Sequence, residues 1–171
     1  MCHPTKGPWI AGGAVRRFLL EQDPWSADVD YFCTDLQQFH LLCSRLENMD
    51  ARPIDSTDHH NTYLFDSGPA TPPLTIQIVR SRFKSTLHEH LNEFDFTICQ
   101  TGWNGEHFEL SMSSIIDLKR QELNCTGSFH SPQGSWNRII KYHKQGYTPS
   151  QACIETLLTE AQKVQDTETK Y

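Results

Sequence analysis

Two aspartates one residue apart, Asp28 and Asp30 in "DVDYFC", are the first residues of this 171-residue chain whose type and spacing suggest chemistry. Side chains alternate along a strand, so both carboxylates leave one face while Val29 and Tyr31 leave the other. Like charges so close repel unless water surrounds them or a divalent cation bridges them. Hard cations such as Mg²⁺ take oxygen ligands and commonly bind through one or two carboxylates plus substrate phosphates. Upstream, Gly12 and Gly13 open the amphipathic segment "AVRRFLLEQ". Glycines let backbone approach a ligand closely, and the first turn of a helix offers N–H groups to an anion. A triphosphate lying between glycines and acids is one reading; a plain tight turn beside a solvated strand end is the other.

A third acid interrupts an apolar run. Asp95 stands between Phe94 and Phe96 in "NEFDFTIC". If the rings face a core, the carboxylate points to the opposite side of a sheet. It is then either an ordinary polar-face residue or, with Asp28 and Asp30, part of a three-carboxylate set. Such a set would hold two metal ions and help deprotonate an attacking hydroxyl.

These residues need elements to position them. Val15, Phe18 and Leu19 give a helical stripe after the glycines, and "DVDYFC" reads as a strand. Thr34 and Gln37 form a capping box for a helix over about 35–50, with Leu36, Phe39, Leu42, Cys43, Leu46 and Met49 on one face. "NTYLFDS" and "PLTIQIVRSRF" read as a hairpin with a loose "SGPATPP" connection, and Arg80, Arg82 and Lys84 alternate at its end. Thr86 and Glu89 cap a short helix, and "FDFTICQTGWNGEHFELS" reads as two strands around the Asn104-Gly105 turn. Three helices follow: one in "SSIIDLKRQEL", one in "SWNRIIKYHKQ" stopped by Gly146, and one from Pro149 to about Gln165, with Thr148 as its cap and a frayed tail beyond.

Composition narrows the function classes. The length suits one domain with a sizeable core. A net charge of −6 argues against a surface that is basic overall, so any polyanion contact is local. One such track exists: between Asp117 and Lys144 five Lys/Arg, including Arg138 and Lys141, stand against two acids, with Trp136, Tyr142 and Tyr147 interleaved for base stacking or for packing in a core. No run of about 18 apolar residues and no secretory signal is present, so a cytoplasmic protein without a membrane partner is expected. Six cysteines without a C-x-x-C pair read as reduced, mostly buried thiols. His59, His60, His88 and His90 read as surface residues, because i and i+2 on a helix face apart. Cys153, Leu157, Ala161 and Val164 form a stripe that serves either a dimer or the chain's own core, which leaves the oligomeric state open.

Taken in order, "GGAVRRFLL", "DVDYF" and "DFTIC" resemble the head domain of the polymerase-β-like nucleotidyltransferase superfamily, specifically bacterial-type CCA-adding enzymes and poly(A) polymerases. The likeness continues through "IIDLKRQEL" and, more loosely, "SPQGSWNRIIKYHKQGYTPS". It implies an α+β fold: a mixed, mostly antiparallel sheet backed by helices, with a catalytic domain over 1–130 and a C-terminal helical extension over 131–171 packed on it as one unit. It implies that Gly12, Gly13 and Arg16 hold the triphosphate and that Asp28 and Asp30 bind catalytic Mg²⁺, two ions in such sites. Asp95 takes the place of the family's third aspartate, catalytic and a metal ligand, while Arg138 and Lys141 match a basic helix that holds nucleotide or primer. The chain departs from the family pattern at Arg17, where an aspartate is usual, at Glu93-Phe94, where an arginine pair is usual, and at Cys99, where an asparagine is usual. The base-selecting E-D-x-x-R is missing.

The resulting expectation is transfer of a nucleoside monophosphate from a nucleoside triphosphate, ATP among the candidates, to a hydroxyl, with release of pyrophosphate. The acceptor expected first is an RNA 3′ end resembling that of tRNA. Transfer to a protein or small molecule, and a catalytically idle nucleotide-binding module, are the alternatives. So short an enzyme would suit a phage or mobile element and hence a host cytoplasm.

Overall fold

A computed structural model describes residues 2–66, 68 and 72–168, with the side chains of 164–168 outside the description. The chain divides into two compact units, Met1–Leu91 with Thr101–Leu110, and Asn92–Gln100 with Ser111–Tyr171.

The first unit is built on a sheet that, among the described residues, has seven strands in the order β3-β4-β5-β2-β1-β6-β7. The strands are β1 (Trp9–Ala11), β2 (Val29–Phe32), β3 (Arg52–Ser56), β4 (His60–Phe65), β5 (Leu74–Val79), β6 (Thr101–Trp103) and β7 (Phe108–Leu110). Only β2 and β5 run parallel; every other neighbouring pair is antiparallel. The expected mixed, mostly antiparallel α+β fold is therefore present. Helix α2 (Leu36–Asn48) buries Phe39, Leu42, Cys43 and Leu46 in one core with Tyr63, Ile76 and Ile78. The opposite face carries Trp9 and Phe32, which pack around His90 of α3 (Leu87–Leu91) at ring distances of 5.6 and 5.1 Å.

Several expectations change. Asp35, not Thr34, is the cap of α2: its Oδ1 accepts from the Gln38 N–H at 2.7 Å, while the Thr34 N–H donates to Gln38 Oε1. Leu36 and Met49 consequently sit off the buried stripe and are exposed. Strand β3, wholly exposed and holding Pro53, has one large apolar residue, Ile54, and no alternation to announce it. β5 stops at Val79, so Arg80 is not on a strand and its guanidinium lies over the Phe39 ring. His90 is buried, because the stripe Leu87, His90, Leu91 at helical spacing faces inward, and His60 is half-buried; His59 and His88 are exposed. The Thr86–Glu89 capping box forms as read, each backbone N–H donating to the other's side chain. Four residues of the "SGPATPP" connection lie outside the described residues.

The second unit holds α4 (Met112–Arg120), α5 (Pro132–His143) and α6 (Gln151–Glu168), with a two-stranded parallel ladder of β8 (Glu122–Leu123) and β9 (Thr148–Pro149). Thr148 and Pro149 thus belong to a strand, and Ser150 caps α6 by accepting from the Cys153 N–H at 3.1 Å. The expected strand around Asp95 is absent: Phe96 makes one isolated bridge to Cys125, and Thr97–Cys99 form a 3₁₀ turn. Tyr142 and Tyr147 are buried, which settles them as core rings rather than a stacking platform. Asp117, counted with the basic track, is buried and accepts from Thr97 Oγ1 and from Asn124 Nδ2. Cys125 and Cys153 are joined in a disulfide, a correction to the all-thiol expectation, while Cys2, Cys33, Cys43 and Cys99 are in no disulfide. Cys153 and Leu157 pack inside their own unit; Val164 lies outside the described side chains. Among the described residues no helix is long and apolar enough to cross a membrane.

Candidate active site

In the first unit, strand pairing puts the acids and the glycine turn side by side. Asp30 lies in register with Ala11 of β1 on one side and with Gln77 of β5 on the other. Residues in register share a face, so Ala11, Asp30, Gln77 and then Thr62 of β4 form a row across the sheet, opposite the face that α2 covers. Asp28, one step before β2, extends the acidic end of the row: its Oδ2 accepts from Gln77 Nε2 at 3.5 Å. Asp28 is exposed and Asp30 half-buried. Gln77 was not singled out in the sequence, although a glutamine alternating with Ile76 and Ile78 marks the polar side of β5.

β1 ends at Ala11, so the chain turns at Gly12 beside the acidic end of β2. Gly12 has φ 84° and ψ −134°, a conformation open to glycine and closed to most other residues. Its N–H is not offered to a ligand, since it donates to the Thr101 carbonyl at 2.9 Å; Thr101 Oγ1 donates back to the Gly12 carbonyl at 3.3 Å. The turn is thereby pinned to β6. α1 (Gly13–Leu19) has no side-chain cap, so the amides of Gly13, Ala14 and Val15 are those that helical geometry leaves without an intrahelical partner. Arg16, in the same helix, is 3 % exposed, and Arg17, at the place of the family aspartate, is half-buried.

Asp95 belongs to the second unit and is 5 % exposed. Its Oδ2 accepts from Ser135 Oγ at 2.8 Å and from Arg138 Nε at 2.7 Å. Its backbone is held as well, for the Thr126 N–H donates to the Asp95 carbonyl at 3.0 Å. Ser135 and Arg138 are one turn apart on α5 and Lys141 one turn further. That spacing was legible, but nothing in the sequence paired it with Asp95. Cys99, at the place of the family asparagine, lies 3.0 Å from the Tyr142 hydroxyl.

The donor chemistry decides where a cation fits. Asp28, exposed, and Asp30, half-buried, supply hard oxygens from one face of the sheet, a donor type that suits Mg²⁺ completed by phosphate oxygens. Among the described residues no group of three or more His, Cys, Asp or Glu could hold an ion. The fit therefore rests on Asp28, just before β2, and Asp30, within it.

Solved structures share this fold. The CCA-adding enzyme of Thermotoga maritima complexed with tRNA is 18 % identical over 87 % of this chain and 36 % of its own, with a TM-score of 0.63. A CCA-adding enzyme with CTP is 19 % identical over 91 % of this chain and 38 % of its own, with a TM-score of 0.65. A tRNA nucleotidyltransferase with a primer tRNA and an incoming ATP analogue is 18 % identical over 87 % and 45 %, with a TM-score of 0.59. The chain thus spans less than half the length of each. No curated protein matches it. A family profile does, over residues 3–121, a stretch that holds the glycine turn, the acidic pair and Asp95. On that match the chain belongs to the Gabija anti-defense 2 (Gad2) family.

Proposed function

We propose that the chain is a metal-dependent nucleotidyltransferase with an anti-defence role, the role that its family's name carries. The observation that carries this reading is the register of Ala11, Asp30 and Gln77, which sets the end of the glycine-turn strand beside the acidic strand. A divalent cation bound by Asp28 and Asp30 would neutralise charge on the transferring phosphoryl group. The chain's own residues do the rest. Gly13 and Ala14 amides meet the β- and γ-phosphates with Arg16 behind them, and the Thr101 bonds to Gly12 keep that turn from shifting when the anion arrives. Gln77 steers the Asp28 carboxylate.

The acceptor read first is an RNA 3′ hydroxyl, which the shared fold with tRNA-bound enzymes supports. A protein hydroxyl on a component of the defence system is the second reading. The family's description and the burial of Tyr142 and Tyr147, which removes one stacking surface, favour it.

The test incubates the protein with Mg²⁺, each α-labelled nucleoside triphosphate, total RNA and an extract of cells carrying the defence system, beside an Asp28→Ala/Asp30→Ala variant. Label on RNA with the native chain alone supports the first acceptor, and label on protein the second. Label on no acceptor overturns transferase activity in favour of an idle nucleotide-binding module.

A further inference from the structure

The Asp95–Arg138 pair is lopsided. The carboxylate side chain is 6 % exposed and the arginine side chain 42 %. A buried carboxylate is tolerated when paired and hydrogen-bonded, and Asp95 has both conditions met on one oxygen, through Ser135 Oγ and Arg138 Nε. A guanidinium carries five N–H donors in a rigid fork. Nε is committed to Asp95, and Nη2 lies 3.5 Å from Ser135 Oγ, which leaves further donors of the fork on a half-exposed group. Lys141, exposed and one turn on, adds a second cation to the same stretch of α5. The fork is held from below by a carboxylate whose backbone is itself tied to Thr126. This is the construction of an oriented anion reader, with planar donors fixed at one edge and available at the other.

We infer that Asp95 and Ser135 are positioning residues that aim Arg138 at a phosphate oxyanion, and that Asp95 does not ligate a catalytic metal. The inference rests on the transferase reading for the source of the phosphate, either the nucleotide or the backbone of an RNA acceptor. Asp95 acts through Arg138, so its loss and the loss of Arg138 have one consequence rather than two.

The test separates metal from phosphate. Mn²⁺ binding to the native protein and to Asp28→Asn, Asp30→Asn and Asp95→Asn is followed by the paramagnetic resonance of free Mn²⁺. Binding of a fluorescent, non-hydrolysable ATP analogue and of a single-stranded RNA oligonucleotide is followed in EDTA for Asp95→Asn, Arg138→Ala, Arg138→Lys and the Asp95→Asn/Arg138→Ala double variant. The expected result is unchanged Mn²⁺ affinity in Asp95→Asn and a loss of about ten- to a hundredfold in phosphate-ligand affinity in Arg138→Ala. The double variant should be no weaker than Arg138→Ala alone. Arg138→Lys keeps the charge facing Asp95, so it guards against misfolding, and it should still lose affinity because an ammonium cannot reproduce the fork. Loss confined to the analogue assigns the phosphate to the nucleotide, and loss confined to RNA assigns it to the acceptor. Mn²⁺ affinity that falls in Asp95→Asn as it does in Asp28→Asn overturns the inference, as does ligand binding indifferent to Arg138. A native protein that binds no Mn²⁺ but binds phosphate through Arg138 would sink the transferase reading and leave this one standing.

Discussion

Asp28, a proposed metal ligand, contributes little to the scaffold. Asp28 is exposed and its contact to Gln77 is long, so Asp28→Asn should leave stability within about 0.5 kcal/mol of the native protein. Turnover should fall by about a hundredfold or more, as the loss of a group acting on transition-state charge does; a thermal melt beside a labelled-nucleotide assay reads both. Gly12 is the reverse case. Its φ of 84° strains any side chain, so Gly12→Ala should destabilise by about 1–3 kcal/mol, measured by urea unfolding. The acids and glycines could be read in the sequence because alternation and helix-start chemistry are local. Asp95 could not: its partners are Ser135 and Arg138, and the alternation argument assumed a strand where the chain makes one bridge and a 3₁₀ turn. The 3₁₀ turn is held by Thr97, which bonds to Asp117 and Asn124, contacts set by tertiary structure.

Among the elements, α2 gives the sharpest comparison. Both Thr34 and Asp35 are competent caps, and the choice between them turns on one residue of register. With Asp35 accepting from Gln38, Asp35→Ala should destabilise by about 1 kcal/mol and Thr34→Ala by much less in chemical denaturation. The same element and its neighbour β2 also set a pH response. Burial, with repulsion from Cys43 and Asp35, pushes the Cys33 thiol from 9.0 up to about 12, and burial pushes the Tyr31 hydroxyl from 10.0 up to about 12. The folded state therefore holds these protons more tightly than the unfolded state. The corresponding stability is fully present below pH 9 and is lost as pH rises from there towards 12. Melting temperature followed from pH 7 upward should hold nearly level to about 9 and then fall, and a level course through pH 11 would contradict the burial of both groups. Helices and apolar strands were legible from periodicity, whereas β3 was not, because an exposed edge strand with a proline has no periodicity to show.

For the molecule as a whole, the disulfide between Cys125 and Cys153, 28 residues apart, encloses α5 and β9 in one closed loop. Restricting a loop of that length in the unfolded chain stabilises by about 3–4 kcal/mol in the chain-entropy account. Adding dithiothreitol should lower the urea midpoint, and Cys153→Ser should reproduce the effect without reductant. A reductant-insensitive midpoint would mean that the pair does not form in solution. Cysteine spacing could not disclose this bond, since six cysteines without a paired motif leave both partner and state open.

The position of β1 has a further consequence, for the order in which the chain is made. Trp9–Ala11 is flanked by β2 on one side and by β6, some ninety residues later, on the other. While a ribosome is still synthesising the intervening segment, one edge of β1 has no strand to pair with, and the Gly12 N–H has no Thr101 carbonyl to meet. The glycine turn therefore acquires its final shape only after Thr101 has left the exit tunnel. A nascent chain halted before that point would carry the acidic pair but not the finished glycine turn, so the phosphate site proposed there would be completed late in synthesis.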